Sequence, residues 1–287
     1  MFHFAHWTHD LSPFVPFLRF SENFGVRWYG LAYVASFVAA VWLLTRYARA
    51  GRSQLPAAKA WDFILYIIIG VMAGGRLGYF LFYRPEDLLH EPLLFFKLWE
   101  GGMASHGGFA GVALAILLFA RVHKIPALHL GDLIATTAPL GLLLGRVANF
   151  INGELWGKPA GHWWCVIFPE ARDGVPRHPS QLYEAFFEGA VLLAFMQWRV
   201  WRTDAIRAQT GRITGEFFAA YAIARCVCEQ FREPDASLIA GVSRGTFYSI
   251  FVLIAGLALI AHASKTKRPP GVFQETKPGK NTGARKK

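Results

Sequence analysis

The chain has 287 residues, of which 54% are hydrophobic and 17% are charged, and its mean hydropathy is +0.29. Soluble domains carry about a quarter charged residues, so this composition excludes an ordinary soluble protein and indicates a chain embedded in a lipid bilayer. The net charge of +11 comes mainly from basic residues in short loops and in the C-terminal tail. No nucleic-acid-binding motif accompanies this charge, so we expect no nucleic-acid partner.

Seven apolar segments are predicted to form transmembrane helices, because most of them approach the ~20 residues that a helix needs to cross hydrocarbon. In chain order they span residues 28–48, 61–83, 105–121, 128–151, 182–201, 213–232 and 246–263. The stretch 88–98 is too short and too charged to cross, so we expect it to lie along the membrane interface. No Lys or Arg precedes Arg19, and we therefore expect no cleavable signal segment.

The predicted fold class is an all-α integral membrane protein whose orientation follows from its Lys and Arg residues. One set of alternating loops, together with the C-terminal tail, carries about twice as many basic residues as the other set. The richer side is predicted to be cytoplasmic, which places the N-terminus outside and the C-terminus inside. We divide the chain into a seven-helix transmembrane domain, 1–263, and a basic, disordered cytoplasmic tail, 264–287.

Small residues recur at four-residue spacing in three of the predicted helices. This spacing predicts close helix contacts at Gly70, Gly74, Gly78, Gly107, Gly111, Gly141 and Gly145. The three cysteines, by contrast, form no framework. Cys226 and Cys228 lie two apart on a predicted helix and point to nearly opposite sides, and Cys165 stands alone in a loop. We therefore predict no metal site.

Polar residues within the predicted helices gather toward one side of the membrane. A charged side chain in the bilayer is costly, so each needs a partner or a function. Toward the outer ends lie Tyr29, Arg76, Tyr79, His106, Arg146, Asn149, Tyr183, Glu184, Glu188, Arg225, Glu229 and Arg232, with Asn152 and Glu154 just beyond. The inner ends carry Asp62, Asp132 and Glu216, each at a helix start where an acid can act as a cap. The asymmetry predicts a pocket at the level of the outer headgroups, where arginines can bind a phosphate.

Each of these polar residues also has a structural explanation. Arg225 and Glu229 are four apart and can neutralise each other on one helix face. Arg146 lies near a helix end and can extend to water, Arg76 can bridge two helices, and His106 can be structural. These explanations do not predict that all the residues face one leaflet, which favours the functional interpretation.

Six sequence strings resemble those of the prolipoprotein diacylglyceryl transferase family. In the order of the family they are RWYG at 27–30, GGRLGYFLFY at 74–83, WEGGMASHGGFAG at 99–111, GRVANFINGELWGKP at 145–159, RHPSQLYEA at 177–185 and RCVCEQFREPD at 225–235. One departure follows the sixth predicted helix, where the family often carries S-M-G-Q and this chain has Ser243-Arg244-Gly245-Thr246. We expect Arg244 to be neutral for activity.

The resemblance implies a seven-helix body with a small periplasmic head in the bacterial inner membrane. It implies an enzyme whose active site faces the periplasmic leaflet. The enzyme would transfer the diacylglyceryl group of phosphatidylglycerol to the lipobox cysteine thiol of prolipoproteins. The product would be a thioether, glycerol phosphate would leave, and neither a cofactor nor a metal is expected.

The resemblance also implies which residues bind the lipid donor. Residues on positions that the family uses are Tyr29, His106, Arg146, Asn149, Glu154, Gly157, Arg225 and Glu229. Arg146 and Arg225 are predicted to hold the phosphate and to stabilise charge on the leaving group. Asn149 is predicted to bind glycerol or phosphate oxygens, and Glu229 to orient Arg225. Arg76 and Arg232 complete the predicted substrate-binding set.

A second group is predicted to serve either the acceptor thiol or the approach of the lipid headgroup. His106 would take the proton of the incoming cysteine, because the thiolate is the nucleophile. Gly107 and Gly108 would let the backbone approach the headgroup. Tyr29 would position the headgroup or guide the thiol.

Three other functions fit the composition less well. An intramembrane serine protease is suggested by Ser105 beside His106, but no G-x-S-x-G string is present, and adjacent helical residues point about 100° apart. A membrane transporter or channel would carry polar residues through both leaflets, and a lipid-binding protein for anionic headgroups is a further non-catalytic alternative. A receptor-like binding protein is the third alternative, and turnover of a donor lipid separates an enzyme from all non-catalytic functions.

Overall fold

The computed structural model describes residues 6–22, 24–97, 101–234 and 237–266, and most of these residues are helical. Within these ranges, five helices are long and apolar enough to cross a membrane. They are Trp28–Arg49, Ala57–Tyr83, Ser105–His123, Ala127–Ile151 and Arg244–Lys265. The predicted all-α membrane class is confirmed at this level. Nearly all of the predicted basic tail, residues 267–287, lies outside the described residues.

The helices are labelled in chain order. They are α1 (Trp28–Arg49), α2 (Ala60–Tyr83), α3 (Pro85–His90), α4 (Ser105–His123), α5 (Ala127–Ile151), α6 (Ser180–Glu184), α7 (Leu192–Arg202), α8 (Ala205–Ala208), α9 (Arg212–Cys228) and α10 (Arg244–Lys265). A π-helical stretch, Ala185–Val191, joins α6 to α7, so the predicted segment 182–201 is one continuous helical run. The predicted interfacial stretch 88–98 contains the end of α3 and a 3-10 helix, Pro92–Phe96.

One predicted helix end is wrong. The segment 213–232 was expected to be helical throughout, but α9 ends at Cys228. Beyond it the chain turns and pairs with the loop after α5, because the Lys158 N–H donates to the Phe231 carbonyl at 2.8 Å and Gly157 bridges to Arg232. Arg232 therefore lies outside the helix that carries Arg225.

The chain divides into two compact units, with the boundary inside α1 after Trp42. In the unit that contains Leu43–Ile125, α2 and α4 pack with their backbones in close contact. A Cβ added to Gly70 would lie 2.5 Å from the Gly111 carbonyl oxygen, and one added to Gly78 would lie 2.8 Å from Gly107 Cα. The predicted glycine contacts between these two helices are confirmed, since no larger side chain fits there.

The other unit contains Met1–Trp42 and Pro126–Arg268, and other glycines make its close contacts. Gly215 of α9 faces Gly256 of α10, where an added Cβ on either residue would meet the opposite carbonyl oxygen at 2.7 Å. The prediction for Gly141 and Gly145 is wrong. An added Cβ on Gly141 would meet only Ser36, at 3.9 Å, and one on Gly145 would enter open space.

A small β-structured region caps this second unit. Strand β1 (Trp7–Thr8) pairs in parallel with β4 (Val166–Ile167), which pairs antiparallel with β5 (Pro176–Arg177). Strands β2 (Phe14–Arg19) and β3 (Gly25–Arg27) form a separate antiparallel ribbon that leads into α1. The His9 ring donates from Nε2 to the Phe150 carbonyl at 2.8 Å, which fixes the N-terminal segment to the end of α5.

The three acids at the predicted inner ends do not all act as caps. Asp62 pairs with Lys59 at 2.7 Å, and Glu216 pairs with Arg199 at 2.6 Å. Asp132 is fully buried and caps a neighbouring helix rather than its own. It accepts hydrogen bonds from the backbone N–H of Gly211 and of Thr214, each at 2.7 Å, at the start of α9. This cap fixes α9 against α5.

We expect Asp132→Ala to lower the free energy of unfolding by about 2–3 kcal/mol, because it leaves buried N–H donors without an acceptor. The measurement is thermal unfolding of the purified protein in detergent. Asp62→Ala is the matched control, since its ion pair with Lys59 is exposed to solvent and contributes little to stability. An Asp132→Ala protein as stable as the control would contradict the proposed cap.

Candidate active site

The centre of the site is a pair of buried carboxylates that three arginines surround. Glu184 ends α6 and is fully buried. Arg146 of α5 lies with Nε 2.8 Å from Glu184 Oε2. Arg225 of α9 and Arg232 both approach Glu184 Oε1 with Nη1, at 3.0 and 3.1 Å. Three segments that are distant in sequence therefore meet at one carboxylate.

Glu188 provides the second buried carboxylate, one turn further along the π-helical stretch. Its Oε1 lies 3.4 Å from Arg225 Nη1, and its Oε2 lies 3.6 Å from Arg146 Nη2. π-helical turns are rare and are frequently found at functional sites. Because a buried charge is costly unless it is paired, Glu188 and Glu184 allow the guanidinium groups to remain in this apolar setting.

Glu229 completes the charge balance of the cluster. Its Oε2 lies 2.6 Å from Arg225 Nη2, so the pairing that the four-residue spacing predicted is present. We call Arg146, Arg225, Arg232, Glu184, Glu188 and Glu229 the arginine–glutamate cluster. Arg146 has 18% of its side chain exposed, and within the described residues its Nη1 makes no hydrogen bond. That part of the guanidinium is available to an anion.

The loop after α5 is held at Glu154 by side chains of α5 and α6. Asn149 donates from Nδ2 to Glu154 Oε1 at 2.8 Å, and Gln181 donates from Nε2 to the Glu154 carbonyl at 2.6 Å. At Gly157, an added Cβ would lie 2.5 Å from the Phe231 carbonyl oxygen and 2.6 Å from that of His178. The absence of a side chain at Gly157 therefore lets this loop pass between two backbone segments.

An aromatic recess of about 360 Å³ adjoins the cluster. Trp164 donates from Nε1 to the Tyr183 hydroxyl at 2.8 Å, and that hydroxyl lies 3.1 Å from His178 Nδ1. Burial, and secondly the neighbouring His162, lower the pKa of His178, so its ring is neutral near pH 7. The Tyr183 hydroxyl therefore contacts both Trp164 and His178, and these contacts hold the three rings against one another.

Four predicted site residues belong to the unit that contains Leu43–Ile125 and are described within it. Arg76 is buried, and its five N–H groups point at the backbone carbonyls of Leu94, Phe95, Lys97, Gly101 and Gly102. In this conformation it presents no donor to a headgroup. Gly107 packs against α2, a Cβ added to Gly108 would meet only the Val71 carbonyl oxygen at 3.9 Å, and His106 is the second residue of α4.

Tyr29 is the second residue of α1, and its ring packs against that of Tyr33, with centroids 5.2 Å apart. The structure thus brings four predicted site residues together in the cluster, Arg146, Arg225, Glu229 and Arg232. Within the described ranges, no group of three or more His, Cys, Asp or Glu side chains could hold a metal ion.

The sequence interpretation missed the residues at the centre of the site. Glu184 and Glu188 were placed at the outer end of a helix but were given no role, and Tyr221 was not considered. Tyr221 lies one turn before Arg225 and interacts electrostatically with Glu188, Arg225 and Arg146. The available signal was two acids four apart in an otherwise apolar helix, which membrane helices rarely carry without a function.

We expect Glu184→Ala to destabilise the folded protein by about 3–5 kcal/mol, because it leaves one buried and two largely buried arginines short of a counter-charge. The measurement is the yield of monodisperse protein and its thermal unfolding in detergent. Glu233→Ala is the control, since Glu233 is 44% exposed and pairs with Arg177 at 3.1 Å. Equal stability of the two variants would show that the cluster does not depend on Glu184.

Comparison with known proteins gives the family. Residues 16–262 match the sequence model of the prolipoprotein diacylglyceryl transferase family. Similar proteins, each named phosphatidylglycerol–prolipoprotein diacylglyceryl transferase, occur in Rhodospirillum centenum, with 46% identity over 83% of this chain and 87% of the relative, and in Methylocella silvestris, with 45% identity over 85% and 92%. A third, from Bradyrhizobium diazoefficiens, is 42% identical over 91% of this chain and 95% of its own length. The chain therefore belongs to the prolipoprotein diacylglyceryl transferase family.

Proposed function

We infer that this chain is an enzyme that transfers the diacylglyceryl group of phosphatidylglycerol to prolipoproteins. The observation that carries this inference is the family match over residues 16–262, which includes every residue of the arginine–glutamate cluster. A buried group of arginines with a partly open guanidinium also suits a lipid phosphate. The alternative of a transporter or lipid-binding protein has no comparable support.

The acceptor is the lipobox cysteine of the prolipoprotein. Its thiolate sulfur attacks the glyceryl carbon that carries the phosphate ester, a carbon–sulfur bond forms, and the carbon–oxygen bond breaks. The leaving group is glycerol phosphate, and the thiol proton passes to a base. No oxidant, reductant or further reactant is needed for this balance.

Arg146 and Arg225 bind the donor phosphate in this proposal. Carboxylates already hold one side of each guanidinium, so the remaining N–H groups are preorganised for the charge that develops on the leaving phosphate. Arg232 shares Glu184 with Arg225 and supports the cluster from the loop after α9. Asn149 and Glu154 shape the turn beside Arg146, with Asn149 contacting glycerol or phosphate oxygens.

His106 is the proposed base for the thiol, and Tyr29 positions the headgroup or guides the thiol. Gly108 is loosely packed, because a Cβ added there would meet only the Val71 carbonyl oxygen at 3.9 Å, and we propose that a headgroup approaches the backbone at this residue. The contacts of three other predicted binding residues support a different role. Arg76, Gly107 and Gly157 hold loop or helix backbone in place, so we propose that each has a structural role within its own unit rather than contact with the substrate.

We also propose the topology that the charge distribution predicts. The α6–α7 run and α9 add two spans to the five long apolar helices. The N-terminus and the β-structured region then lie in the periplasm, and the C-terminal tail from residue 264 lies in the cytoplasm. The membrane is the bacterial inner membrane, and the arginine–glutamate cluster faces its periplasmic leaflet. The strands support this placement, because they attach at the end of α5 and at the start of α1.

The first experiment tests the reaction itself. Purified protein in detergent receives phosphatidylglycerol and a synthetic peptide with one lipobox cysteine, and the peptide is then weighed by mass spectrometry. We expect a gain of one diacylglyceryl mass on the thiol and none on a Cys→Ser peptide. Folded protein that yields no adduct with any of several anionic lipids would exclude the transferase and favour lipid binding or transport.

The same assay tests the arginine contact with phosphate. We expect Arg146→Ala to lose transfer by at least about a thousandfold, and Arg146→Lys to fail almost as badly, because a point charge lacks the planar fork of arginine. Arg172→Ala, an exposed arginine outside the cluster, is the control and should keep full activity. Activity of Arg146→Ala close to that of the control would refute the phosphate contact.

His106→Gln tests the proposed base. It should abolish transfer at neutral pH while leaving membrane insertion and phosphatidylglycerol binding intact. Retained transfer by this variant would assign the thiol proton to another group.

Orientation is tested by cysteine labelling in a background without the three native cysteines. Phe17→Cys, at an exposed position of β2, should react with a membrane-impermeant maleimide in intact cells. Ser264→Cys, at the exposed end of α10, should react only after lysis. The reverse pattern would invert the proposed topology.

A further inference from the structure

Glu229 lies where two helices meet. Its backbone N–H donates to the Arg225 carbonyl at 2.9 Å in the last turn of α9, and its side chain is buried. Its carboxylate contacts Arg225 Nη2 at 2.6 Å. The direction in which the Arg225 guanidinium points therefore depends on where this carboxylate is held.

On its other side, the Glu229 carboxylate packs against Gly245 in the first turn of α10. A Cβ added to Gly245 would lie 2.6 Å from Glu229 Oε2, 2.7 Å from Cδ and 2.8 Å from Oε1. Gly245 is not among the glycines with positive φ, so its backbone conformation is open to any residue. The requirement for glycine is therefore one of space, and the atoms that fill the space belong to Glu229.

Hydrogen bonds hold the first turn of α10, and Gly245 with it, in a fixed position. The Ser243 hydroxyl accepts from the Thr246 N–H at 3.2 Å, and the Ser249 hydroxyl donates to the Gly245 carbonyl at 2.7 Å. Eleven residues after Gly245, and hence on nearly the same helix face, Gly256 contacts Gly215 of α9. The first turn of a helix also favours a neighbouring carboxylate through the helix dipole.

We propose that Gly245 is a positioning residue for the transfer reaction. Its missing side chain seats the Glu229 carboxylate against the start of α10, and Glu229 in turn aims Arg225 at the donor phosphate. This inference rests on the proposed role of Arg225 in binding phosphate. The neighbouring Arg244, which we expect to be neutral for activity, bonds through its guanidinium to Ser237.

The test is the kinetics of Gly245→Ala with phosphatidylglycerol and a lipobox peptide. We expect kcat/KM for the lipid to fall at least about tenfold, because the methyl group displaces the carboxylate from Arg225. Gly161→Ala is the matched control, since Gly161 has open space around its Cβ position and no positive φ, and it should change kcat/KM by less than about twofold.

A double variant shows whether Gly245→Ala acts by displacing the Glu229 carboxylate or by disturbing the packing of α10. In a Glu229→Asp background the shorter carboxylate clears the added methyl, so Gly245→Ala should cost less than about twofold there. Equal costs in both backgrounds would overturn the inference. If Gly245→Ala fails to fold but the double variant folds, the result supports the contact with the Glu229 carboxylate. If neither variant folds, Gly245 serves helix packing alone and the inference is overturned.

Arg225→Ala distinguishes this inference from the function on which it rests. An inactive Arg225→Ala enzyme together with a fully active Gly245→Ala enzyme would refute only the role of Gly245. A fully active Arg225→Ala enzyme would instead refute the phosphate contact itself.

Discussion

The site depends on the burial of three guanidinium groups against two carboxylates of one helical run. A charge removed from water costs several kcal/mol unless an opposite charge and hydrogen bonds replace the solvent. Glu184 and Glu188 provide that replacement for Arg146, Arg225 and Arg232. Because these arginines come from α5, α9 and the loop after α9, the electrostatic requirement also fixes the level at which those segments meet.

Backbone contact between helices makes this convergence possible. Gly215 and Gly256 let α9 and α10 approach until backbone atoms touch, and Gly189 does the same for the π-helical stretch against Leu143 of α5. Between such closely packed helices, side chains as long as Arg and Glu can pair without water. Asp132 adds a fixed point at the other end of α9, so the helix that carries Arg225 is held at both ends.

Preorganisation explains why arginines that are already paired suit catalysis. With three carboxylates opposite three guanidinium groups, the cluster is balanced and stable before the donor binds. The N–H groups that the carboxylates leave unused then have a fixed direction when charge develops on the departing phosphate. An unpaired arginine would have to be desolvated and oriented during the reaction itself.

Residue type and position in a helix do not by themselves predict the different roles of Arg76 and Arg146. Both are arginines near the outer ends of predicted helices, and both were assigned to the substrate. The partners of Arg76 are backbone carbonyls, whereas those of Arg146 are carboxylates. Nothing local in the two strings distinguishes them, because the difference lies in which distant segment packs against each guanidinium.

The sequence by itself determined that this is a helical membrane protein, and it placed its polar residues at one end of the helices, because hydropathy and charge act locally along the chain. Its motifs also identified the family and the arginines. Only the tertiary structure decided that Glu184 joins three arginines, that Asp132 caps a different helix, and that α9 ends four residues early at Cys228. Those features depend on contacts between residues about 40–80 positions apart, which local periodicity does not encode.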